Sequence, residues 1–145
     1  MKRKTKISIP LQLIELEEQS YHILVETIFT ENIKGKWAID TGASKTVFDV
    51  NETQLFHFTE SSELDIQSAG IGEMQIETQA GILPFLKFDE LELCDWPVAL
   101  IDLKHVNHLY SQFTNEIIIG LLGSDFLVKY NAIIDYKKRT LTLTF

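Results

Sequence analysis

The sequence predicts an all-β domain, folded as a barrel or a sandwich, and three observations support this prediction. Apolar and polar residues alternate along many short stretches, which is typical of strands with one buried face. These stretches follow one another at short, regular spacing, as they do in barrels and sandwiches. Helix signals are scarce. The chain has 145 residues, of which 45% are hydrophobic, so we expect a single domain over residues 1–145.

The N-terminal third is predicted to form three strands. The apolar residues of the first strand have a period of two, which places four of them on one face: Ile7, Ile9, Leu11 and Leu13. The β-branched and aromatic stretch 21–29 forms the second strand, and the polar stretch 30–35 turns the chain into the third, over 36–40. This hairpin therefore ends on an acidic residue, Asp40.

The rest of the chain is predicted to supply further strands and one helix. The strands cover residues 64–69, 73–78, 82–88, 90–93, 98–103, 132–135 and 140–145. The segment 122–129 predicts a short helix, with Gly123 and Ser124 at its start and Asp125 in the first turn, where a carboxylate suits the helix dipole. Residues 51–56 are expected to add a helical turn. The predicted fold is thus all-β with one short helix near the C-terminus.

The charge of the chain is negative and unevenly distributed. The formal net charge is −8, and basic residues are concentrated at both ends. Between Asp49 and Asp95, eleven carboxylates stand against one basic residue, Lys87. A solvated acidic surface explains this pattern, and so does the steering of basic substrates over a Debye length of about 8–10 Å. Nucleic acid is excluded as the main partner, because its binders rely on clustered Lys and Arg.

The sequence also predicts a cytoplasmic protein that does not cross a membrane. The basic N-terminus is followed by alternating apolar and polar residues instead of the contiguous apolar region of a signal peptide. No stretch approaches the roughly 18 apolar residues of a membrane span. The lone Cys94 cannot form an intramolecular disulfide, which favours a reducing compartment, and we expect it to be a small, partly buried thiol.

Two segments contain the residues with the clearest chemical significance. In residues 37–48, WAIDTGASKTVF, an apolar strand delivers Asp40 to a turn, and Gly42 permits close approach of the backbone. In residues 117–127, IIIGLLGSDFL, an apolar strand enters a turn bounded by glycines and a helix begins. We expect Asp125 to be a helix-start residue and not a second catalytic acid.

Together these segments resemble the aspartic proteases of the retropepsin type. The ending over 131–143, NAIIDYKKRTLTL, looks like the closing hairpin of many bacterial, single-domain members, and the resemblance extends over residues 21–145. It implies a small closed barrel of the acid-protease type and an aspartic endopeptidase that acts on peptide or protein substrates. It also implies that Asp40 is catalytic, that Thr41 and Gly42 hold its loop, and that no metal or organic cofactor is required.

The chemistry of this family requires two carboxylates. One acts as a base toward water while the other donates a proton to the carbonyl oxygen. The chain contains a single Asp-Thr-Gly, at residues 40–42. The second carboxylate must therefore come from another copy across a two-fold axis, so we expect a homodimer. In the family, the residue that matches Thr41 links the two loops by hydrogen bonds at that axis.

The family also closes its cleft with a glycine-rich flap, and the resemblance places this flap at residues 66–76. Glycines at the tip allow such a lid to bend over the substrate. An ordinary β-turn is the alternative interpretation of these residues. The expected substrate-binding residues are those of the tip and two that follow the catalytic triplet: Gly70, Ile71, Gly72, Ala43 and Ser44.

The sequence departs from the viral members at two positions near the site. Viral members usually have Asp where Ser44 stands and Arg where Ser124 stands, so both partners of their ion pair are absent here. We expect a hydrogen bond between Ser44 and Asp125 to replace that pair.

Two other classes of function stay open. The chain could be a catalytically inactive retropepsin-like module that binds peptides or dimerises, or an unrelated β-barrel binding protein with a chance Asp-Thr-Gly. His105 and His108 have the spacing of a weak metal pair, but their segment is expected to be a loop, so surface histidines are favoured. Trp37 and Trp96 are expected to pack in the core or to line the cleft.

The residue after the catalytic triplet predicts the pH dependence of activity. Pepsins usually have a Ser that bonds the catalytic carboxylate where Ala43 stands. Without that donor the ionised pair is stabilised less, so we expect peptide cleavage at a pH optimum milder than that of pepsin. A pH–rate profile measures this, and a maximum near about pH 2 would contradict the prediction.

Overall fold

The computed structural model describes residues 3–59 and 79–145, which form eleven strands, two α-helices and one 3-10 turn over Thr30–Asn32. The strands are β1 (Lys6–Pro10), β2 (Gln12–Glu17), β3 (Ser20–Phe29), β4 (Lys34–Ile39), β5 (Val47–Asp49), β6 (His57–Phe58), β7 (Gln79–Phe88), β8 (Leu91–Ile101), β9 (Ile118–Leu122), β10 (Ile133–Asp135) and β11 (Thr140–Thr144). The helices are α1 (Lys104–Ser111) and α2 (Ser124–Lys129). The predicted strands 64–69 and 73–78 lie outside the described residues.

Six of the described strands close into a barrel. Their order is β3-β4-β9-β5-β8-β7, and β7 returns to β3 through the antiparallel pairs Ile28–Lys87 and Phe29–Leu86. The pairs β4–β9 and β5–β8 are parallel, whereas the other pairs in the barrel are antiparallel. Closure removes the free edges of these strands. The predicted all-β barrel with a short helix near the C-terminus is confirmed.

The two ends of the chain meet in a second sheet of three strands, in the order β1-β11-β10. Ile7 lies opposite Leu143 and Ile9 opposite Leu141, and all four side chains are buried. The ladder extends beyond the strands, because the backbone N–H of Thr5 donates to the carbonyl oxygen of Phe145 at 2.6 Å. The period of two in the first predicted strand is confirmed for Ile7 and Ile9, but the single strand is not: the chain leaves β1 after Pro10, and Leu13 belongs to β2 of the larger sheet.

The centre of the barrel is filled by aromatic side chains. Phe29, Trp37 and Phe48 are essentially inaccessible to solvent, and their ring centroids lie 5.7–6.1 Å apart. The indole Nε1 of Trp37 donates to Oγ1 of Thr27 at 2.8 Å, so the buried N–H is satisfied. Trp96 is also buried, which confirms that both tryptophans belong to the core.

Helix α1 occupies the segment that the sequence predicted as a loop, and that prediction is wrong. The helix packs Tyr110 into a smaller second core, and Asn107 binds the backbone N–H and carbonyl oxygen of Ile118 at 2.7 and 3.0 Å. Burial raises the pKa of Tyr110 to about 12, and its hydroxyl lies 2.9 Å from Nδ1 of His22. These contacts stabilise α1, whose N-cap residue Leu103 makes no side-chain capping bond of its own. His105, as predicted, is on the surface.

Three local predictions are corrected. Strand β8 is continuous where two strands were predicted, over 90–93 and 98–103; its Pro97 is tolerated because β5 begins to pair with β8 only at Ala99. Residues 51–56 form hydrogen-bonded turns and no helix. Cys94 is exposed instead of partly buried, because it alternates with the inward-facing Leu93.

Gly120 in β9 is expected to be intolerant of a side chain. A Cβ on Gly120 would collide with the indole of Trp37 and the carbonyl oxygen of Val47. Both obstacles are rigid, so we expect Gly120→Ala to lower the free energy of unfolding by about 3 kcal/mol. Urea denaturation measures this.

Gly35→Ala is the matched control for that substitution. A Cβ on Gly35 would meet side-chain atoms of Phe29 and Ile119, at 2.7–3.1 Å, instead of the backbone oxygen and indole at 2.4 Å that it would meet on Gly120. We expect the loss of stability to be clearly smaller at Gly35, and equal losses for the two variants would contradict the explanation.

Candidate active site

Asp40 follows β4 directly and is held at the end of the strand by its own loop. Its backbone N–H donates to the carbonyl oxygen of Leu122 at 3.0 Å, which continues the parallel pairing of β4 with β9. The carbonyl oxygen of Asp40 accepts from the N–H of Ala43 at 3.1 Å, and Oδ1 accepts from the N–H of Gly42 at 3.0 Å. The loop therefore presents a half-buried carboxylate in a defined orientation.

Gly123 permits backbone-to-backbone contact between the two segments that the sequence singled out. A Cβ on Gly123 would lie 2.7–2.8 Å from backbone atoms of Lys45 and Ala43, closer than such atoms can approach. The N–H of Ser124 donates to the carbonyl oxygen of Ala43 at 2.7 Å. The glycine is thus required by a close approach, and this contact positions the Asp40 loop against the start of α2.

Thr46 joins the same two segments through its side chain. It is fully buried; its Oγ1 donates to Oδ1 of Asp125 at 2.7 Å and accepts the N–H of Gly123 at 3.1 Å. Oδ1 of Asp125 also accepts the N–H of Phe126 at 2.9 Å, so Asp125 is a helix-start residue, as predicted. The prediction that Ser44 bonds to Asp125 is wrong: Thr46 is the residue that donates to Asp125. Thr46 faces inward, whereas Ser44 is exposed.

The predicted site residues are brought together only in part. Thr41, Gly42 and Ser44 lie exposed beside Asp40, and Ala43 is half-buried. The predicted flap tip lies outside the described residues: Gly70, Ile71 and Gly72. Thr46 was not identified from the sequence, because its partner Asp125 is 79 positions away.

Asp49 and Asp102 are two carboxylates near β5 that have a structural role. Asn51 donates through Nδ2 to Oδ1 of Asp49 at 2.7 Å and to Oδ1 of Asp102 at 2.8 Å. The backbone N–H of Lys104 and the amide of Asn51 lower the pKa of Asp102. These bonds fix the start of α1. Within residues 3–59 and 79–145 no group of three or more His, Cys, Asp or Glu side chains is arranged to hold a metal ion.

The site agrees with a family comparison that covers more than half of the chain. The model of a family described as aspartyl protease matches residues 27–126, which include the Asp40 loop and the Gly123 turn. The chain belongs to the aspartyl protease family. No match was found among curated proteins.

Solved structures of members with the retropepsin-like fold are similar to this chain along most of its length. A retropepsin-like aspartic protease from Rickettsia conorii is 18% identical, with a TM-score of 0.52, over 99% of this chain and 93% of the other. The retroviral protease-like domain of Ddi1 from Leishmania major is 13% identical, with a TM-score of 0.51, over 83% of this chain and 86% of that domain. The fold of this family member is therefore retropepsin-like. None of the helices among its described residues is long and apolar enough to span a membrane.

The hydroxyl of Thr46 is expected to contribute measurably to stability. Thr46→Val preserves the shape but leaves the N–H of Gly123 without its acceptor and removes a donor from Asp125. An unsatisfied buried group costs about 1–3 kcal/mol, so we expect a loss of that size in urea denaturation.

Thr46→Ser is the control, because it keeps the hydroxyl and removes only a methyl group. We expect Thr46→Ser to be the more stable of the two variants. The opposite order would show that packing of the methyl group matters more than the hydrogen bonds.

Proposed function

We propose that the protein is an aspartic endopeptidase that works as a homodimer, with Asp40 of each copy in one shared active site. The observation that carries this proposal is the placement of the Asp40 carboxylate. It follows β4 directly and accepts the N–H of Gly42, and the backbone of its loop, at Ala43 and Lys45, contacts the Gly123 turn. A matching family model supports the assignment, since its range, residues 27–126, includes the Asp40 loop and the Gly123 turn.

The proposed reaction is hydrolysis of a peptide bond by water. One Asp40 carboxylate accepts a proton from water as the water oxygen bonds to the carbonyl carbon, and the protonated partner donates its proton to the carbonyl oxygen. The tetrahedral intermediate then collapses: the Asp40 that took the proton from water gives it to the nitrogen, the carbon–nitrogen bond breaks, and a hydroxyl of the intermediate returns its proton to the other Asp40. An amine and a carboxylic acid leave. Each chain contributes a single Asp-Thr-Gly, at residues 40–42, so the second carboxylate is that of another copy.

Neighbouring residues have supporting roles in this proposal. Thr41 and Gly42 hold the loop, and the exposed position of Thr41 leaves its hydroxyl accessible to a second copy. Ala43 and Ser44 would contact the backbone of an extended peptide. Three residues outside the described part of the chain are also proposed to bind the substrate: Gly70, Ile71 and Gly72. We further propose that residues 1–145 act as a single domain.

Replacing Asp40 tests the proposed chemistry. Asp40→Asn preserves the size of the side chain but removes the charge that accepts the proton from water. We expect cleavage of a diverse peptide pool to fall by roughly 10²–10⁴-fold across about pH 3 to pH 8, measured by mass spectrometry.

Asp95→Asn is the matched control for Asp40→Asn. Asp95 is exposed in β8 at φ 54°, a backbone conformation that Asn also accepts, so this variant should cleave like the wild type. A wild type that is inactive at every pH would favour a non-catalytic peptide-binding or dimerisation module. A strictly monomeric protein that still cleaves would contradict the shared active site.

A further inference from the structure

We propose that the outer edge of β2 binds a basic, extended segment of a partner protein, which adds to the sheet as a further strand. The binding surface, called the β2 edge below, consists of the strand Gln12–Glu17 and the neighbouring residues Glu18, Tyr21 and Glu26. The inference goes beyond the proposed function and does not depend on it, because none of these residues belongs to the Asp40 loop.

The backbone of β2 is paired on one side only. It is the first strand of the larger sheet and pairs with β3 in a regular ladder from Gln12–Leu24 to Glu15–Tyr21. No described strand pairs with its other side. An edge strand presents unpaired N–H and C=O groups, and an extended peptide binds to such an edge by continuing the sheet. The ladder is irregular after Glu15, so the regular part of this edge is formed by residues 12–15.

Charge makes the β2 edge complementary to a basic segment. Three exposed glutamates lie on β2 and in the turn after it: Glu15, Glu17 and Glu18. Among the other edges of the described sheets, β1 carries Lys6, β10 is followed by the basic residues 137–139, and β6, His57–Phe58, has no Asp, Glu, Lys or Arg. Carboxylates beside an added strand attract its Lys and Arg side chains. A basic segment is therefore complementary to β2 alone among these edges.

An exposed aromatic ring lies beside the glutamates. Tyr21 is opposite Glu15 in the ladder and is 54% exposed, and Oε1 of Glu15 is oriented by the backbone N–H of Gln19 at 3.1 Å. Strands in a sheet are about 4.8 Å apart, so a strand added to β2 lies about 10 Å from β3. A long Arg side chain and the Tyr21 ring bridge that distance together. The guanidinium group is then attracted by the ring face as well as by the carboxylate.

A pocket opens at the start of β2. Its volume is about 270 Å³, and it is lined by Pro10, Leu11, Gln12, Leu24, Glu26 and Lys36. Leu11 and Leu24 are buried and give it an apolar wall. Nζ of Lys36 lies 2.7 Å from Oε2 of Glu116, so the charge of Lys36 is balanced within the protein. No cation of the described residues lies within ion-pair distance of Glu26. An apolar wall with one such carboxylate fits the aliphatic stem and charged end of a Lys or Arg side chain.

The basic turn before β11 contacts this region through its backbone. The carbonyl oxygen of Arg139 accepts the N–H of Leu11 at 2.8 Å, whereas Nε of Arg139 donates to the carbonyl oxygen of Tyr136 at 2.9 Å. The guanidinium group is thus held in its own turn, and Arg139 is not among the residues that line the pocket. The carboxylate of Glu26 is left to a ligand.

The pocket and the glutamates lie at opposite ends of β2. The six residues Gln12–Glu17 span about 20 Å. An extended segment of about the same length therefore reaches both ends, and basic residues at alternate positions place several cations on one side of it.

Fluorescence anisotropy with a synthetic peptide tests the β2 edge. The probe is a labelled, end-capped heptapeptide in which arginine and threonine alternate, because arginine supplies the charge and threonine favours strands. We expect it to bind the wild type with an affinity that falls as NaCl is raised from about 50 to about 500 mM. The same peptide with glutamate in place of arginine should not bind. A wild type that does not bind the arginine peptide would overturn the inference.

Glu17→Lys locates the binding surface. It reverses one charge on the edge, so we expect the dissociation constant of the arginine peptide to rise by about 10-fold or more. Glu90→Lys is the matched control: Glu90 is also exposed, but it lies in the turn between β7 and β8, and binding should be unchanged. Equal weakening by both variants would mean that the peptide responds only to the net charge of the protein, which would contradict a docking surface on β2.

Tyr21→Ser is a second variant in case Glu17→Lys does not fold, which circular dichroism would show. We expect Tyr21→Ser to weaken binding by about 3-fold or more, because the ring no longer contacts the guanidinium group. Tyr136→Ser is its control, since Tyr136 is 58% exposed and lies outside the β2 edge. Binding that neither Glu17→Lys nor Tyr21→Ser weakens would place the peptide elsewhere and reject the inference.

Two N-methylated forms of the arginine peptide distinguish strand addition from attraction between charges alone. Only every second backbone N–H of an added strand points toward its neighbour. One form is methylated on alternate nitrogens, and the other form on the remaining nitrogens. We expect one form to lose binding and the other to retain it. Equal affinities of the two forms would exclude an added strand.

Asp40→Asn separates this binding from the proposed catalysis. We expect it to bind the arginine peptide like the wild type even where peptide cleavage is lost. Loss of binding in Asp40→Asn would place the peptide in the candidate active site and contradict the inference. Sedimentation of Glu17→Lys checks the choice of partner: an oligomeric state equal to that of the wild type supports it, whereas loss of self-association would assign the edge to a second copy.

Discussion

The direct backbone contact between the Asp40 loop and the Gly123 turn is the constraint on which the candidate active site depends. Parallel pairing of β4 with β9 brings the ends of these strands side by side, and a glycine allows the chains that leave them to touch. Thr46 then bonds to both the turn and the start of α2. The carboxylate of Asp40 is therefore oriented by the barrel as a whole, and a closed barrel is a rigid support for such a group.

Most of the fold and part of the site could be predicted from the sequence, because strand alternation and the Asp-Thr-Gly segment are local patterns. Thr46 could not, since its significance depends on Asp125, 79 residues later. Leu103, the N-cap residue of helix α1, is not a capping residue type, and the contacts of this helix with β9 become visible only in three dimensions. Strand β8 was predicted as two pieces because Asp95, at φ 54°, and Pro97 both resemble the residues that end strands.

Positive and negative surface charges are concentrated on different edges of the fold, which the net charge of −8 does not reveal. Basic residues are concentrated on the terminal sheet, and glutamates line the edge of β2. Like charges on an edge strand disfavour its pairing with the same strand of another copy. Elsewhere a charge is paired locally: Nζ of Lys36 lies 2.7 Å from Oε2 of Glu116 and lowers the pKa of that carboxyl group. This ion pair joins β4 to the segment before β9. Like charges thus lie along these two edges, and the buried apolar residues form the core of the fold.

Pairing of β1 with β11 has a consequence for how the protein is made. Lys6 lies opposite Thr144, so the terminal sheet joins residues separated by nearly the whole chain. Contacts of such long sequence separation slow folding, because the loop between them must close before they form. On the ribosome, β1 cannot pair with β11 until residues 140–144 have been synthesised. The pairing of β1 with β11 is thus completed only after the strands between them have been made.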